Sequence, residues 1–475
     1  MNTNDPTPPA SPDAPPPPAA RPSTDPRAET APPRAGEPLW RVLGCFVLML
    51  AALQLIIGPK VRLSQWELSA ANNLSVAEGV AWLNGRLDIG LDAAGDPADP
   101  AHRPHDSAYF NGKVYNVFPP MMAILTVALS PLHKLLLDGR ADFWLQTAFV
   151  LLVFWPLPII GFVVFYRRTG SAAWGAVLTV AWMAGTALLP NLHAARGGLL
   201  GQLDHVVSQI GLLILAADVL GRQRIWPGLI GLLISTYTRQ ITFLYGFVLL
   251  WAAWRQGGWR RCSLCAAGLG AIAAPLLTLN YLKFGDPLDF GYKRIYVGRD
   301  TEYMGARCLT YGTFSTRFIL GPPGDPGNAY YLFLAPPRID AVTPTNIQIS
   351  ERNQNGTGLW ITTPLALWVF LAAGRWWRDR KGRGLMLGTL PVIVGLLCYH
   401  SPGYMQQGYN RFALDFLPLW LAVVAPYTRG GWRTWFTLLC AAWGMLYFQA
   451  IVPNTTPLPR QNGQTLVMTV THGEV

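Results

Sequence analysis

Carboxylates and cations gather in two polar stretches that adjoin apolar runs. Residues 60–118 hold seven carboxylates: Glu67, Glu78, Asp88, Asp92, Asp96, Asp99 and Asp106. Within this stretch, "HDSAYFNGKVYNVFPPMMAIL" (105–125) sets Asp106 and Lys113 directly before Pro119-Pro120 and an apolar run. A carboxylate held at a low-dielectric surface suits general-base work, taking a proton from a hydroxyl while nearby cations stabilise a departing phosphate. Asp92, Asp96 and Asp99 fall in "DAAGDPADPAHRPHD", whose composition reads as a solvated excursion. Asp106 and Asp88, then Glu67, are the stronger candidates for the base.

Lys113, Arg196, Arg239, Arg307 and Arg411 are the cations on the same predicted face. Arg239, in "STYTRQITF" between two short apolar spans, is costly there unless it faces an anion. Lys113, Arg239 and Arg411 are the expected phosphate contacts. Tyr409 and Tyr115 are the candidates for stacking on a sugar, against the plainer reading of such tyrosines as an interfacial aromatic belt. His102, His105, His193, His205 and His400 are too irregularly spaced to predict a metal site. Cys262 and Cys265 form a lone CxxC with no second pair and no histidine nearby, so no metal or other cofactor is expected. No nucleophile triad, Walker loop or dinucleotide fingerprint is present.

These residues need elements to hold them, and composition says which. The 475 residues are 51% hydrophobic and only 13% charged, against about 25% charged in soluble domains. Residues 1–38 are Pro- and Ala-rich and predict a solvated tail with polyproline character, not a signal peptide. Apolar runs predict spans at 40–59, 143–166, 173–190, 204–220, 225–238, 240–255, 262–284, 359–374, 384–399, 411–427 and 433–451. The net charge of +11 lies largely in short arginine clusters: Arg167/Arg168, Arg222/Arg224, Arg255/Arg260/Arg261, Arg375–Arg383 and Arg429/Arg433. Each cluster follows a second span, which orients a membrane protein and argues against a nucleic-acid surface. The parity holds only if residues 119–137 do not cross, so that segment reads as a re-entrant or surface helix. The expectation is an all-α polytopic membrane protein with about 11 transmembrane helices. Its N-terminus is cytoplasmic and its C-terminal tail, 452–475, lies outside. Two larger outer loops, 60–118 and 285–358, carry the chemistry. In the first, a helix is expected to end at Asn84-Gly85, and "AYFNGKVY" reads as a hairpin about an Asn-Gly turn that brings Asp106 and Lys113 onto neighbouring strands.

Over roughly residues 40–451 the chain resembles the GT-C superfamily of membrane glycosyltransferases, particularly the bacterial branch related to dolichyl-phosphate-mannose protein mannosyltransferases and lipid A sugar transferases. The likeness lies in "AEGVAWLNGRLDI", the hairpin stretch, "NYLKFGDPLDFGY" (280–292) and "YNRFALDFLPLW" (409–420), in that order. The resemblance implies a GT-C-like fold in the cytoplasmic (inner) membrane. It implies hexosyl or pentosyl transfer from a polyprenyl-phosphate-linked sugar to a glycan, lipid or protein acceptor, with membrane lipids around the site. The acidic pair of that superfamily falls here on Asn72-Asn73, which cannot take a proton, so the base is sought at Asp106, Asp88 or Glu67. It also implies a phosphate contact at Lys113. A transporter or flippase of lipid-linked glycans, and a glycan polymerase or ligase, are the alternatives.

Overall fold

A computed structural model describes residues 37–57, 74–90, 96, 98–100, 103–104, 106–137, 155–196, 200–337, 339–343, 346–349, 357–403 and 409–451. In chain order these form α1 (Leu39–Ile57), α2 (Leu74–Leu83), β1 (Ser107–Phe110), β2 (Lys113–Asn116), α3 (Met121–Leu137), α4 (Pro156–Thr169), α5 (Ala172–Ala184), α6 (Leu188–Arg196), α7 (Leu200–Leu220) and α8 (Trp226–Thr238). A 3-10 turn, Gln240–Tyr245, leads into α9 (Gly246–Phe284), α10 (Tyr292–Ile295), α11 (Tyr303–Tyr311) and α12 (Arg317–Leu320). After β3 (Ile339–Thr343) and β4 (Asn346–Ile349) come α13 (Leu359–Thr362), α14 (Trp368–Leu371), α15 (Ala373–Trp376), α16 (Arg380–Leu397), α17 (Leu417–Val424) and α18 (Trp432–Leu446). The fold is mostly helical, with two antiparallel hairpins, β1-β2 and β3-β4.

Among the described residues, three helical stretches are long and apolar enough to cross a membrane: Leu39–Ile57, Leu203–Leu220 and Gln240–Phe284. The first and last of these keep apolar outward faces, with Leu48, Leu55, Trp254 and Leu264 exposed, as lipid-facing surfaces require, while the second is mostly buried within the bundle. The last stretch folds back on itself. Gly257 (φ −145°) and Gly258 (φ 58°, ψ −148°) break it, and the Gly246 backbone packs against the Leu269 side chain. In a straight helix those two residues would be about 35 Å apart. The expected separation into two runs around Arg255, Arg260 and Arg261 is therefore present.

Helices α7 and α8 form the hairpin that positions the site. Gly211 and Gly231 face each other so closely that a Cβ on Gly231 would lie 2.5 Å from the Gly211 carbonyl oxygen, the small-residue contact typical of helix pairs in membranes. The turn between them holds Gln223 (φ 52°) and Ile225 (φ 75°) in the left-handed region, which is unfavourable for a β-branched residue. Asp218 compensates by accepting from the backbone N–H groups of Arg224 (2.8 Å) and Ile225 (3.1 Å). The basic turns meet at this end of the bundle. Arg168 lies 3.7 Å from Asp379, Lys381 donates to the Gly221 carbonyl, and Gln256 donates to Gln223 at 2.8 Å.

Several expectations change. The stretch between the expected spans 173–190 and 204–220 is not a loop throughout, because α6 runs to Arg196 and α7 begins at Leu200. Leu203, Val206 and Val207 are buried, so the core-facing helical stripe starts before the sequence loses its polar character. The run 359–374 is broken where extended Thr363 precedes Pro364, since proline disfavours the helical conformation in the residue before it. Residues 411–427 begin as a 3-10 turn, Arg411–Asp415, before α17. The β3-β4 hairpin was not expected in an all-α chain. Two expected elements are present as read. Helix α2 stops at Asn84-Gly85, with Gly85 at φ 70°, and Asn111 (φ 50°) and Gly112 (φ 75°) make the turn between β1 and β2. Glu67, Asn72-Asn73, most of the N-terminal tail and residues 452–475 lie outside the described residues.

Candidate active site

On α7, Asp204, His205, Ser208 and Gln209 follow i, i+1, i+4, i+5 spacing, which puts them on one stripe of the helix. That stripe packs against the 3-10 turn Arg411–Asp415. Gln209 donates to the Leu414 carbonyl at 2.8 Å, and the His205 ring stacks on Phe412 with centroids 6.0 Å apart. The turn is held from outside the stripe: Asn410 caps it by accepting from the Phe412 N–H, and Tyr245 donates to the Asp415 carbonyl at 2.9 Å.

Arg239 reaches the same place from the junction of α8 with the next 3-10 turn, where its extended backbone (φ −144°, ψ 92°) breaks the helix. Its Nη2 donates to Asp415 Oδ2 at 2.8 Å, and its Nε lies 3.2 Å from both carboxylate oxygens. Asp415 is fully buried, while the Arg239 side chain keeps 19% of its surface open. A bidentate pair of this kind offsets desolvation through geometry and charge-assisted bonds. The guanidinium carbons of Arg239 and Arg411 lie 5.0 and 6.0 Å from the Phe412 ring centroid. The two arginines selected from the sequence therefore converge.

Asp204 is the unusual member. It is 2% exposed, both carboxylate oxygens lack a hydrogen-bond partner, and the charges of Arg239, Arg411 and Glu78 act on it. Through Glu78 it adjoins a second buried centre. Lys283, near the end of α9, pairs with Glu78 Oε1 and donates to the Asn116 carbonyl at 2.9 Å. Asn116 Nδ2 donates to Glu78 Oε2 at 2.7 Å.

Tyr292 on α10 adjoins the site, where the charges of Arg239 and Asp204 act on it. Its ring meets Tyr399 and His400 at 5.6 and 6.2 Å, and its hydroxyl lies 3.4 Å from Gln240. Burial raises the Tyr292 phenol above its ordinary range. Burial also pushes the His400 imidazole down to about 3, and the charge of Arg307 acts in the same direction. His400 shares a 3.1 Å hydrogen bond with the Tyr296 hydroxyl.

The other predicted residues are scattered around this centre. Asp106, half-buried and at φ 65°, stands just before β1 and acts electrostatically on Tyr292 and His400. The ladder pairs Ser107 with Asn116 and Phe110 with Lys113, so Asp106 and Lys113 sit at opposite ends of the hairpin, about 13 Å apart along the strands. The two lie on the neighbouring arms of the hairpin, as expected, but that register keeps them apart. Lys113, 59% exposed, instead pairs with Asp88 at 3.7 Å. Tyr115 is buried against Phe284, and Tyr409 is buried against Phe448. Glu67 lies outside the described residues, as do the side chains of His193 and Arg196. Among the described residues, no three His, Cys, Asp or Glu groups are arranged to hold a metal ion.

Comparison with protein-family models, curated proteins and solved structures returns no match.

Asp204, Asp415 and Lys283 are not among the residues expected from the sequence, His205 enters there only as a possible metal ligand, and Glu78 is not singled out among the seven carboxylates. The signal for two of them was in plain text, since "GQLDHVV" and "RFALDFLPLW" each set an acid at the start of an apolar span.

Proposed function

We propose that the protein is a membrane glycosyltransferase that moves a hexose or pentose from a polyprenyl-phosphate carrier to a glycan, lipid or protein acceptor. The observation that carries this reading is the convergence of Arg239 and Arg411 on Phe412, beside buried carboxylates and within electrostatic reach of Tyr292, on which Asp106 also acts. In the proposed reaction the acceptor hydroxyl gives its proton to Asp106 as its oxygen bonds to the anomeric carbon. The bond from that carbon to the phosphate oxygen breaks, and the electron pair leaves with the polyprenyl phosphate. Arg239 and Arg411 stabilise the charge that develops there. The resemblance of the loop order to GT-C enzymes supports the same reading, with about eleven spans in the inner membrane, a cytoplasmic N-terminus and the site on the outer face.

The test uses the full chain in membranes supplied with radiolabelled polyprenyl-phosphate sugars. Arg411→Gln and Asp106→Asn are expected to lower transfer at least about 100-fold. Wild-type rates in both variants would remove the assignment, and translocation of the carrier without bond formation would favour a flippase instead.

A further inference from the structure

Buried polar atoms in helices normally find partners, and most of those in this bundle do. Thr179 donates to the Gly175 carbonyl, Thr389 to the Met386 carbonyl, and Trp420 to Thr389. The outer turns of α7 and the facing residue of α6 depart from that rule. Asp204 Oδ1 and Oδ2, His205 Nδ1 and Nε2, Ser208 Oγ, Gln209 Oε1 and Asn191 Oδ1 are all buried without a hydrogen bond. Asp204 is 2% exposed and the other four residues are fully buried. His205 Nδ1 does lie 3.5 Å from Asp415 Oδ1, without the alignment of a hydrogen bond. The amide N–H groups of Asn191 and Gln209 are already committed to the Ala187, His205 and Leu414 carbonyls, so what remains is rich in acceptors.

An acceptor-rich cluster needs a ligand that donates. A cation is disfavoured because Arg239 and Arg411 both act on Asp204. Neutral donors in several directions are what a ring of hydroxyl groups supplies. We infer that Asn191, Asp204, His205, Ser208 and Gln209 form the subsite that receives the hydroxyls of the donor's sugar ring, next to the arginines that hold its phosphate. This inference rests on the proposed transferase reading and deepens it: Asn191 and Gln209 accept from the sugar, and Asp204, Ser208 and His205 either give or accept. The apolar body of the ring lies toward Phe412, whose face is already shared with His205 and the two arginines.

The experiment measures binding to the full-length protein in lipid nanodiscs. The probes are undecaprenyl phosphate and the same carrier bearing glucose, mannose, galactose or arabinose. At least one sugar-bearing carrier is expected to bind about tenfold more tightly than the bare carrier. Ser208→Ala is expected to abolish that gain while changing affinity for the bare carrier less than about twofold; Asp204→Asn is expected to abolish it too, while tightening the bare carrier, because a carboxyl beside Arg239 and Arg411 is removed, with melting temperatures recorded to confirm folding. Equal binding of bare and sugar-bearing carriers, or variants that weaken both alike, would overturn the subsite and leave the phosphate site standing. If wild type binds neither probe, the transferase reading fails, and the subsite fails with it.

Discussion

Two buried acid–base centres lie side by side in this molecule and differ in how completely they are satisfied. At Glu78, Asn116 and Lys283, both carboxylate oxygens have a donor and the ammonium has a second acceptor. At Asp204, Asp415, Arg239 and Arg411, one carboxylate is held bidentately, the other has no hydrogen-bond partner, and a guanidinium keeps an open face. A closed network specifies structure, because each member fixes the others. An open one carries an energetic cost that persists in folded proteins mainly where a ligand or reaction uses it. The first centre pins α2 and the β1-β2 hairpin to the end of α9. The second is where chemistry is expected.

The largest effect should come from opening the closed centre. Glu78→Ala leaves Lys283, only 4% exposed, without its counter-ion, and removing one partner of a buried pair costs about 3–5 kcal/mol. Replacing both, Glu78→Leu with Lys283→Met, should restore most of that stability in detergent melts. If the single variant melts like wild type, the two centres do not differ as argued. Next in size is Gly211→Ala. Its new methyl would stand 2.6 Å from the Ser235 N–H and would meet the Gly231 carbonyl, so overpacking should cost about 1–3 kcal/mol. The same change should loosen Asp204 relative to Arg239, lowering transfer even at temperatures where the protein stays folded.

How much of this was legible in the sequence depended on whether the signal was local. Asn111-Gly112 announced its hairpin because only left-handed-tolerant residues make that turn, and Asn84-Gly85 announced the end of α2 for the same reason. Arg239 and Arg411 were found because cations are costly at apolar positions. Their shared partner Asp415 was not, because nothing local tells that residue 415 folds back onto residue 239. Lys283 and Glu78 are 205 positions apart and meet only through tertiary packing. The partner of Lys113 was hidden for a related reason. Its neighbour in sequence was visible, but the register that points it at Asp88 belongs to the folded hairpin.

Acid should sharpen the contrast between a buried neutral group and its solvated form. His400 is 2% exposed, and its imidazole titrates at about 3 instead of near 6.5. In the unfolded chain it takes a proton as pH falls through about 6.5, while the folded state does not. Stability from this residue is therefore complete above that pH and lost below it, by about 1.4 kcal/mol per pH unit. Melting temperatures of His400→Gln from pH 7.5 to 5 should fall less steeply than those of wild type; parallel slopes would exclude the group as the source. A smaller effect, of opposite sign, is expected at the open centre. Asp204→Asn replaces a buried, unpartnered carboxylate with a neutral amide of the same shape, which should raise stability by up to about 1 kcal/mol while lowering transfer. A destabilised Asp204→Asn would mean that Asp204 is held by structure rather than kept for a ligand.

The smallest effect belongs to the pair on the hairpin. Lys113 is 59% exposed and meets Asp88 at 3.7 Å, and exposed ion pairs contribute only about 0.2–1 kcal/mol. Among the described residues it touches neither arginine of the site. Lys113→Ala should therefore shift the melting temperature hardly at all and leave transfer within about twofold of wild type. A large loss of transfer with unchanged stability would restore Lys113 as a phosphate contact, and would require the hairpin tip to swing toward Arg239 and Arg411 when the carrier binds. Crosslinking between cysteines placed at Lys113 and Gln240, with and without undecaprenyl phosphate, distinguishes those two arrangements directly.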